Sequence, residues 1–262
     1  MYLKAFVIAL LVALAALAGP PGDFPTRQKV EIKQGESVSR ALVESYVIRS
    51  GTLFSLITRI SGTAGDLKAG RYVFDKPLPI WNVFARVYRG EYGTHSKKVT
   101  IPEGSSNAQI SKITGVDIGE QDQGYLFPDT YYLDEFSTAT EIRQSMRANF
   151  DKKVGVISRE DLVLASLVEE EASSTLDRKL IAGILEKRLA LGMLLQVDVA
   201  PETYDKTGLP SLPIVNPGLE AINAVRSPEE SKYLYYISDK NGVVRYARTF
   251  DEHKANRARY AI

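Results

Sequence analysis

The sequence predicts a mixed α+β protein with an N-terminal membrane helix, and three observations carry that expectation. An unbroken apolar run, Ala5 to Ala18, follows Lys4 and is closed by Gly19-Pro20-Pro21, which cannot continue a helix. Short alternating segments such as Lys29-Val-Glu-Ile-Lys33 and Leu67 to Phe74 are separated by stretches with helical spacing of apolar residues. Arg159 to Ala172 carries apolar residues on every side, as a helix buried all round would. With 262 residues, 44% of them hydrophobic and 25% charged, the chain has material for more than one core.

Taken in order, residues 1–19 read as an uncleaved signal or an anchor, because the run from Met1 with Lys4 snorkelling reaches the ~17 residues at which a membrane helix begins. Both readings send the rest of the chain outward, and Lys4 places the N-terminus inside. Residues 20–27 form a Pro-rich linker. The strand at 29–33 is followed by Gly35-Glu36-Ser37 as turn and cap, then by helical spacing through Val38, Leu42, Val43, Tyr46 and Val47. Ser50-Gly51 separates this helix from another at Leu53 to Ile60. A second strand ends at Phe74, and Pro79 to Tyr88 reads as a helix stopped by Gly90. Residues 28–96 thus make a small α+β module, and residues 97–262 a larger mixed α+β domain.

Composition narrows the chemistry. Lys+Arg 33 against Asp+Glu 32 leaves no charge excess to draw nucleic acid. Cys 0 removes thiolate nucleophiles and Cys-ligated zinc, and His 2 is too few for a His-rich metal site, so no metal and no cofactor is expected. Catalysis falls to carboxylates, hydroxyls or lysine.

Two segments of the second half carry denser signals. Gly124 to Leu133 gathers Tyr125, Phe127, Tyr131 and Tyr132 around Pro128 and Asp129. These residues read either as a half-buried strand or as stacking platforms for sugar rings, with Asp129 and Thr130 bonding hydroxyls. A helix from about Thr140 to Phe150 follows. In the second segment, Ser158 with Asp161 caps the all-apolar helix, and Ser174 with Asp177 caps the next, so Glu169, Glu170 and Glu171 fall in the last turn of the first. The helix C-terminus carries about half a negative charge, which disfavours a further anion and raises carboxylate proton affinity. At ~100° per residue, Glu169 and Glu171 point to nearly opposite sides and cannot face each other as a pair. Read from the residues alone, such a triplet is more often a solvated helix end.

Gly124-Tyr-Leu-Phe-Pro-Asp-Thr-Tyr131, Ala165-Ser-Leu-Val-Glu-Glu-Glu171, Leu195-Gln-Val-Asp198, Gly208-Leu-Pro210, Pro213-Ile-Val-Asn-Pro-Gly218 and Tyr233-Leu-Tyr-Tyr236 together resemble the endolytic murein transglycosylases, the MltG/YceG-like family. The resemblance spans nearly the whole chain and implies a LysM-like module over 28–96, on the motif Leu67-Lys-Ala-Gly-Arg-Tyr72, and a YceG-like catalytic domain over 97–262. It implies internal cleavage of peptidoglycan glycan strands to leave a 1,6-anhydro-muramic end, single-pass inner-membrane placement, and cell wall synthases as partners. The catalytic glutamate of the family's Val-Glu-x-Glu motif falls on Glu169, and Glu171 matches the second acid in support. Gln196 and Asp198 match Leu-Gln-x-Asp and would orient Glu169 or bond sugar. Asn216 is either a further polar contact or a turn residue ahead of a helix at Leu219 to Val225.

One glutamate suffices for such a reaction, because the muramic C6 hydroxyl is the nucleophile and the same residue acts first as acid, then as base. The resemblance is imperfect: Gln123 stands where relatives commonly carry Glu, and the 199–207 segment is short. Two other readings stay open: a noncatalytic wall-binding scaffold, and a muramidase-type hydrolase using Asp198 or Asp129 as a second carboxylate.

Overall fold

The computed structural model describes residues 2–24, 27–239 and 241–260. Helix α1 (Tyr2–Ala18) forms on the apolar run as expected, and Gly19 closes it by donating to the Ala15 carbonyl at 3.0 Å. It has 17 residues, about 25 Å at ~1.5 Å per residue. The hydrocarbon layer of a bilayer is ~30 Å thick. Among the described residues no helix is long and apolar enough to cross a membrane. This corrects the expected membrane helix and the single-pass inner-membrane placement. The shortfall has a simple cause: the Gly-Pro-Pro stop follows the run at once, and the helix gains no turn beyond Ala18.

The chain divides into two compact units, one comprising residues up to Ser96 with Asp134–Phe136, the other Lys97–Leu133 and the chain from Ser137 onward. In the first unit, β1 (Gln28–Ile32) pairs antiparallel with the later strand β2 (Gly70–Phe74), Val30 lying opposite Tyr72. Between them lie α2 (Val38–Glu44) and α3 (Gly51–Ile60), the latter capped by Ser50, whose hydroxyl accepts from Leu53 N–H at 3.1 Å. Helix α4 (Ile80–Arg89) follows β2 and ends at Gly90, which takes the left-handed conformation at φ 71°. One face of each helix closes over the strand pair, burying Leu42, Phe54, Tyr72, Phe74, Ile80 and Val83.

The second unit opens with β3 (Lys97–Thr100) and α5 (Asn107–Thr114), followed by β4 (Thr130–Leu133), antiparallel to β3 with Val99 opposite Tyr131. Helix α6 (Ala139–Lys153) starts at a capping box between Thr138 and Glu141. The half-buried strand expected across Tyr125 to Tyr132 is shorter than its alternation suggests. Asp129 O still accepts from Ile101 N–H at 2.9 Å, but residues 124–128 leave the ladder because the Gly124 and Leu126 N–H groups donate to Asn216 Oδ1 and Pro128 has no N–H to offer.

The main core lies among α7 (Arg159–Glu171), α8 (Thr175–Ala190) and α9 (Leu219–Arg226), around Leu164, Leu167, Ile181, Leu185 and Ile222. The Ser158 and Ser174 caps form as the sequence indicates, receiving Asp161 and Asp177 N–H at 3.0 and 3.1 Å. Every residue from Leu162 to Val168 is buried, so α7 is the central helix of the unit. A hairpin of β5 (Tyr235–Ser238) and β6 (Val244–Ala247), then α10 (Phe250–Tyr260), complete it.

Candidate active site

The acid-rich end of α7 is built by what meets it from later in the chain. Ser166, fully buried, donates its hydroxyl to Val163 O at 2.7 Å and accepts Ile214 N–H at 3.1 Å, tying the 213–218 segment alongside α7. Glu169, one turn on, has a side chain only 5% exposed. Its Oε1 accepts from Arg178 Nη2 at 2.9 Å, and its Oε2 accepts from Gly218 N–H at 2.8 Å. Arg178 lies on α8 and also donates to Glu220 Oε2 at 2.7 Å, so its guanidinium is fixed between two carboxylates. The α7 carboxylate thus sits at the amino end of α9, where backbone dipoles favour an anion. Its own helix end disfavours one, and the two fields oppose.

Burial decides the balance. Loss of water pushes the Glu169 proton affinity above the ordinary carboxylate value; the Gly218 N–H and Arg178 pull it down, and the nearby Glu103 carboxylate pushes it up again. Glu103 reaches this position because residue 218 is a glycine: a Cβ there would lie 2.1 Å from Glu103 Oε1. The backbone at Gly218, φ −76°, suits any residue, so it is space and not conformation that requires glycine.

Asn216 holds the floor of this arrangement. Its Oδ1 accepts from Gly124 N–H at 2.7 Å and Leu126 N–H at 3.0 Å, while Nδ2 donates to Ser105 O at 2.8 Å and Asn107 Oδ1 at 3.1 Å. All four side-chain hydrogen-bonding positions are used, and the residue is wholly enclosed, committed to backbone and not open to a ligand. Gln123, at the position where the resemblance leads one to expect Glu, accepts from Asn107 N–H at 3.1 Å and donates to Pro213 O at 2.9 Å. An ionised carboxylate could not make the second bond.

Glu171 occupies a separate environment on the other side of α7. It is half-buried, bonded to the Tyr236 hydroxyl and close to the charges of Asp198 and Glu170. Burial, chiefly, pushes its carboxyl from 4.5 up to about 7. Asp198 is exposed and accepts a hydrogen bond from the Tyr204 hydroxyl, and Gln196, also exposed, stands at φ 51°. Glu171 and Asp198 therefore belong together, while Glu169 belongs with Arg178, Gly218 and Glu103.

The Glu171 environment makes stability depend on pH. A carboxyl whose folded proton affinity exceeds its unfolded one stabilises the fold fully below the unfolded pKa, and that contribution is lost as pH rises through the folded value. Between pH 5 and pH 8 the wild type loses on the order of 1–3 kcal/mol relative to Glu171→Gln, after discounting for partial exposure. Urea midpoints of both proteins at the two pH values measure this, and parallel pH dependences would contradict it.

The aromatic segment is largely core. Phe127 and Tyr131 are 4% and 8% exposed, the Tyr131 hydroxyl donates to Phe127 O at 2.6 Å, and the half-buried Tyr125 packs edge-on to Phe150. Asp129 is held ionised by Lys153 at 2.8 Å and Asn149 at 2.9 Å, its carboxyl lowered to about 2. His253, half-buried, stacks on Tyr235 with ring centroids 5.3 Å apart. Arg178 and Glu103 are the contributors that sequence reasoning missed. Arg178 is one of several charges in the sequence of α8 and Glu103 one acid in a Pro-Glu-Gly turn, and neither spacing nor motif sets them apart.

The central helix of this α+β domain thus carries two carboxyls of raised proton affinity, Glu169 and Glu171, in separate environments. The sequence pattern of the YceG-like family matches residues 30–201 and 202–259, and the chain belongs to that family. Among its relatives, endolytic murein transglycosylases of two Streptococcus pneumoniae strains are each 27% identical over 99% of this chain; the chain spans 66% of their length, just under two thirds. The Bacillus subtilis endolytic murein transglycosylase is 25% identical over 96% of this chain and 90% of its own length. The crystal structure of a YceG-like protein from Listeria monocytogenes, 25% identical, covers 87% of this chain with a TM-score of 0.53, the chain spanning 98% of that structure.

Proposed function

We propose that this protein is an endolytic peptidoglycan transglycosylase in which Glu169 first protonates the glycosidic oxygen and then accepts the proton of the muramic C6 hydroxyl as that oxygen closes the anhydro ring. The observation that carries the reading is the clasp on Glu169: two donors fix the carboxyl's orientation while burial raises its proton affinity. Donor bonds to both oxygens keep the conjugate base tolerable after proton transfer, and the raised affinity makes the acid form more available than in an ordinary carboxyl. The names of the pneumococcal and Bacillus relatives support the substrate class. Tyr125 serves in this reading as a sugar contact, while Asp198, with Gln196 two residues before it, stands beside Glu171 across α7 and contacts the glycan strand away from the acid. Phe127, Asp129 and Tyr131 support the groove from within, and Asn216 positions Gly218.

Digestion of uncrosslinked glycan strands, with mass spectrometry of the new muramic end, tests the proposal. A 1,6-anhydro end, one water lighter than a reducing end, is the expected result.

Glu103 favours a second reading, a water-using hydrolase, because it is the carboxylate whose charge acts on Glu169. Glu103→Gln separates the two. In the transglycosylase, removing that charge lowers the Glu169 proton affinity, so the alkaline limb of kcat/KM moves to lower pH and the maximum falls by less than about tenfold. In a two-carboxylate hydrolase the same change costs about 10²-fold or more and the product carries a reducing end.

A further inference from the structure

We infer that the concavity beside Glu169, formed by the 102–105 turn and α5, is the subsite for the ionised peptide carried by the muramic residue next to the scissile bond. The inference rests on the transglycosylase reading and adds which part of the substrate is recognised there. The concavity has a volume of about 410 Å³ and is lined by Glu103, Gly104, Gln109, Lys112 and Glu170 among others. That size falls within the ~300–1,000 Å³ of small-ligand sites.

Its position follows from Gly104. This residue takes a left-handed conformation at φ 74°, and a Cβ there would stand 2.7 Å from Glu170 Oε1 and 3.6 Å from Glu169 Cγ. The left-handed backbone favours glycine here, and the turn lies in contact with the end of α7. Gly104 N–H also donates to Asn216 O at 3.1 Å, which holds the turn in place. The concavity therefore opens directly onto the residues around the acid.

Its lining is unlike a sugar groove. Neutral sugars call for hydroxyl-bonding groups and an aromatic face, yet here two carboxylates and one ammonium share the wall. Among the described residues neither Glu103, Glu170 nor Lys112 makes an ion pair. Charges of both signs that face one concavity without pairing complement a ligand that itself bears both signs. Gln109 Oε1 accepts from Ser106 N–H at 2.7 Å, which leaves its NH₂ group as a further donor. The muramic lactyl group bears a short peptide with a free amine and free carboxylates; the amine meets Glu103 and Glu170, and a carboxylate meets Lys112.

The test compares two substrates with the full chain: uncrosslinked strands bearing intact peptides, and the same strands stripped by an amidase. Wild type is expected to cleave intact strands about tenfold faster, the difference that ~1.4 kcal/mol of charge contacts supplies. The double variant Lys112→Ala, Glu170→Gln is expected to bring that ratio to about two or below. A wild-type ratio near one, or a double variant that keeps the wild-type ratio, overturns the inference and leaves the transglycosylase reading standing. Failure of wild type to cut either substrate overturns both. A second measurement uses unaltered protein: free stem tetrapeptide at millimolar concentration slows acetylation of Lys112, and an unchanged acetylation rate counts against the subsite even where the variants fold poorly.

Discussion

Glu169→Gln is expected to lower glycan cleavage by about 10³-fold or more while leaving the fold intact. General acid–base participation contributes ~10²–10⁴-fold, and in the proposed mechanism one residue serves both proton transfers, so its loss falls at the upper end of that range. The amide is a close replacement structurally: its oxygen still accepts from Gly218 N–H or Arg178, and Arg178 keeps Glu220 as an ion-pair partner. Removing the side chain altogether is a poorer experiment, because Arg178, with a side chain only 9% exposed, would lose its buried partner at a cost of ~3–5 kcal/mol. The measurement is the rate of muropeptide release, with urea unfolding as the control for folding. If Glu169→Gln cuts at near the wild-type rate and Glu171→Gln does not, the acid has been assigned to the wrong side of α7, and the carboxyl raised to about 7 becomes the reacting group.

Asn216→Ala is expected to destabilise the second unit by about 3–5 kcal/mol. The Gly124 and Leu126 N–H groups would be left buried without an acceptor, at ~1–3 kcal/mol each, and Asn107 Oδ1 would lose its donor. A small cavity adds to the loss. Activity should fall with stability, because Gly218, which donates to Glu169, lies two residues further on. Asn216→Asp keeps an acceptor for both N–H groups and loses only the two donor bonds, but it buries a charge. It should therefore be milder than alanine at acidic pH, where the carboxyl is protonated, and more severe at neutral pH. Denaturant midpoints for the three proteins at pH 5 and pH 7.5 decide this, and an Asn216→Ala loss below about 1 kcal/mol would refute the role.

What the sequence made legible follows the range of the forces involved. Local signals were readable: the Ser158 and Ser174 caps form on their expected partners, the run from Leu162 to Val168 is buried throughout, and Gly90 ends α4. The opposed directions of Glu169 and Glu171 follow from helical geometry alone, and the two side chains do have different partners. The electrostatic argument for Glu169 was incomplete. The dipole of its own helix was visible in the sequence, but the opposing α9 terminus and Arg178 arrive only through tertiary packing. The same limit applies to the aromatic segment, where Asn216, some ninety residues away, removes two N–H groups from the strand. The membrane helix failed on length, a matter of one turn at the Gly-Pro-Pro stop, where apolar composition alone is silent.

The clasp around Glu169 also bears on when the chain becomes reactive. Its guanidinium comes from residue 178 and its amide from residue 218. A polypeptide that stops short of 218 therefore lacks one of the two donors to Glu169, and under the proposed mechanism the acid is complete only once the chain through α9 has been made.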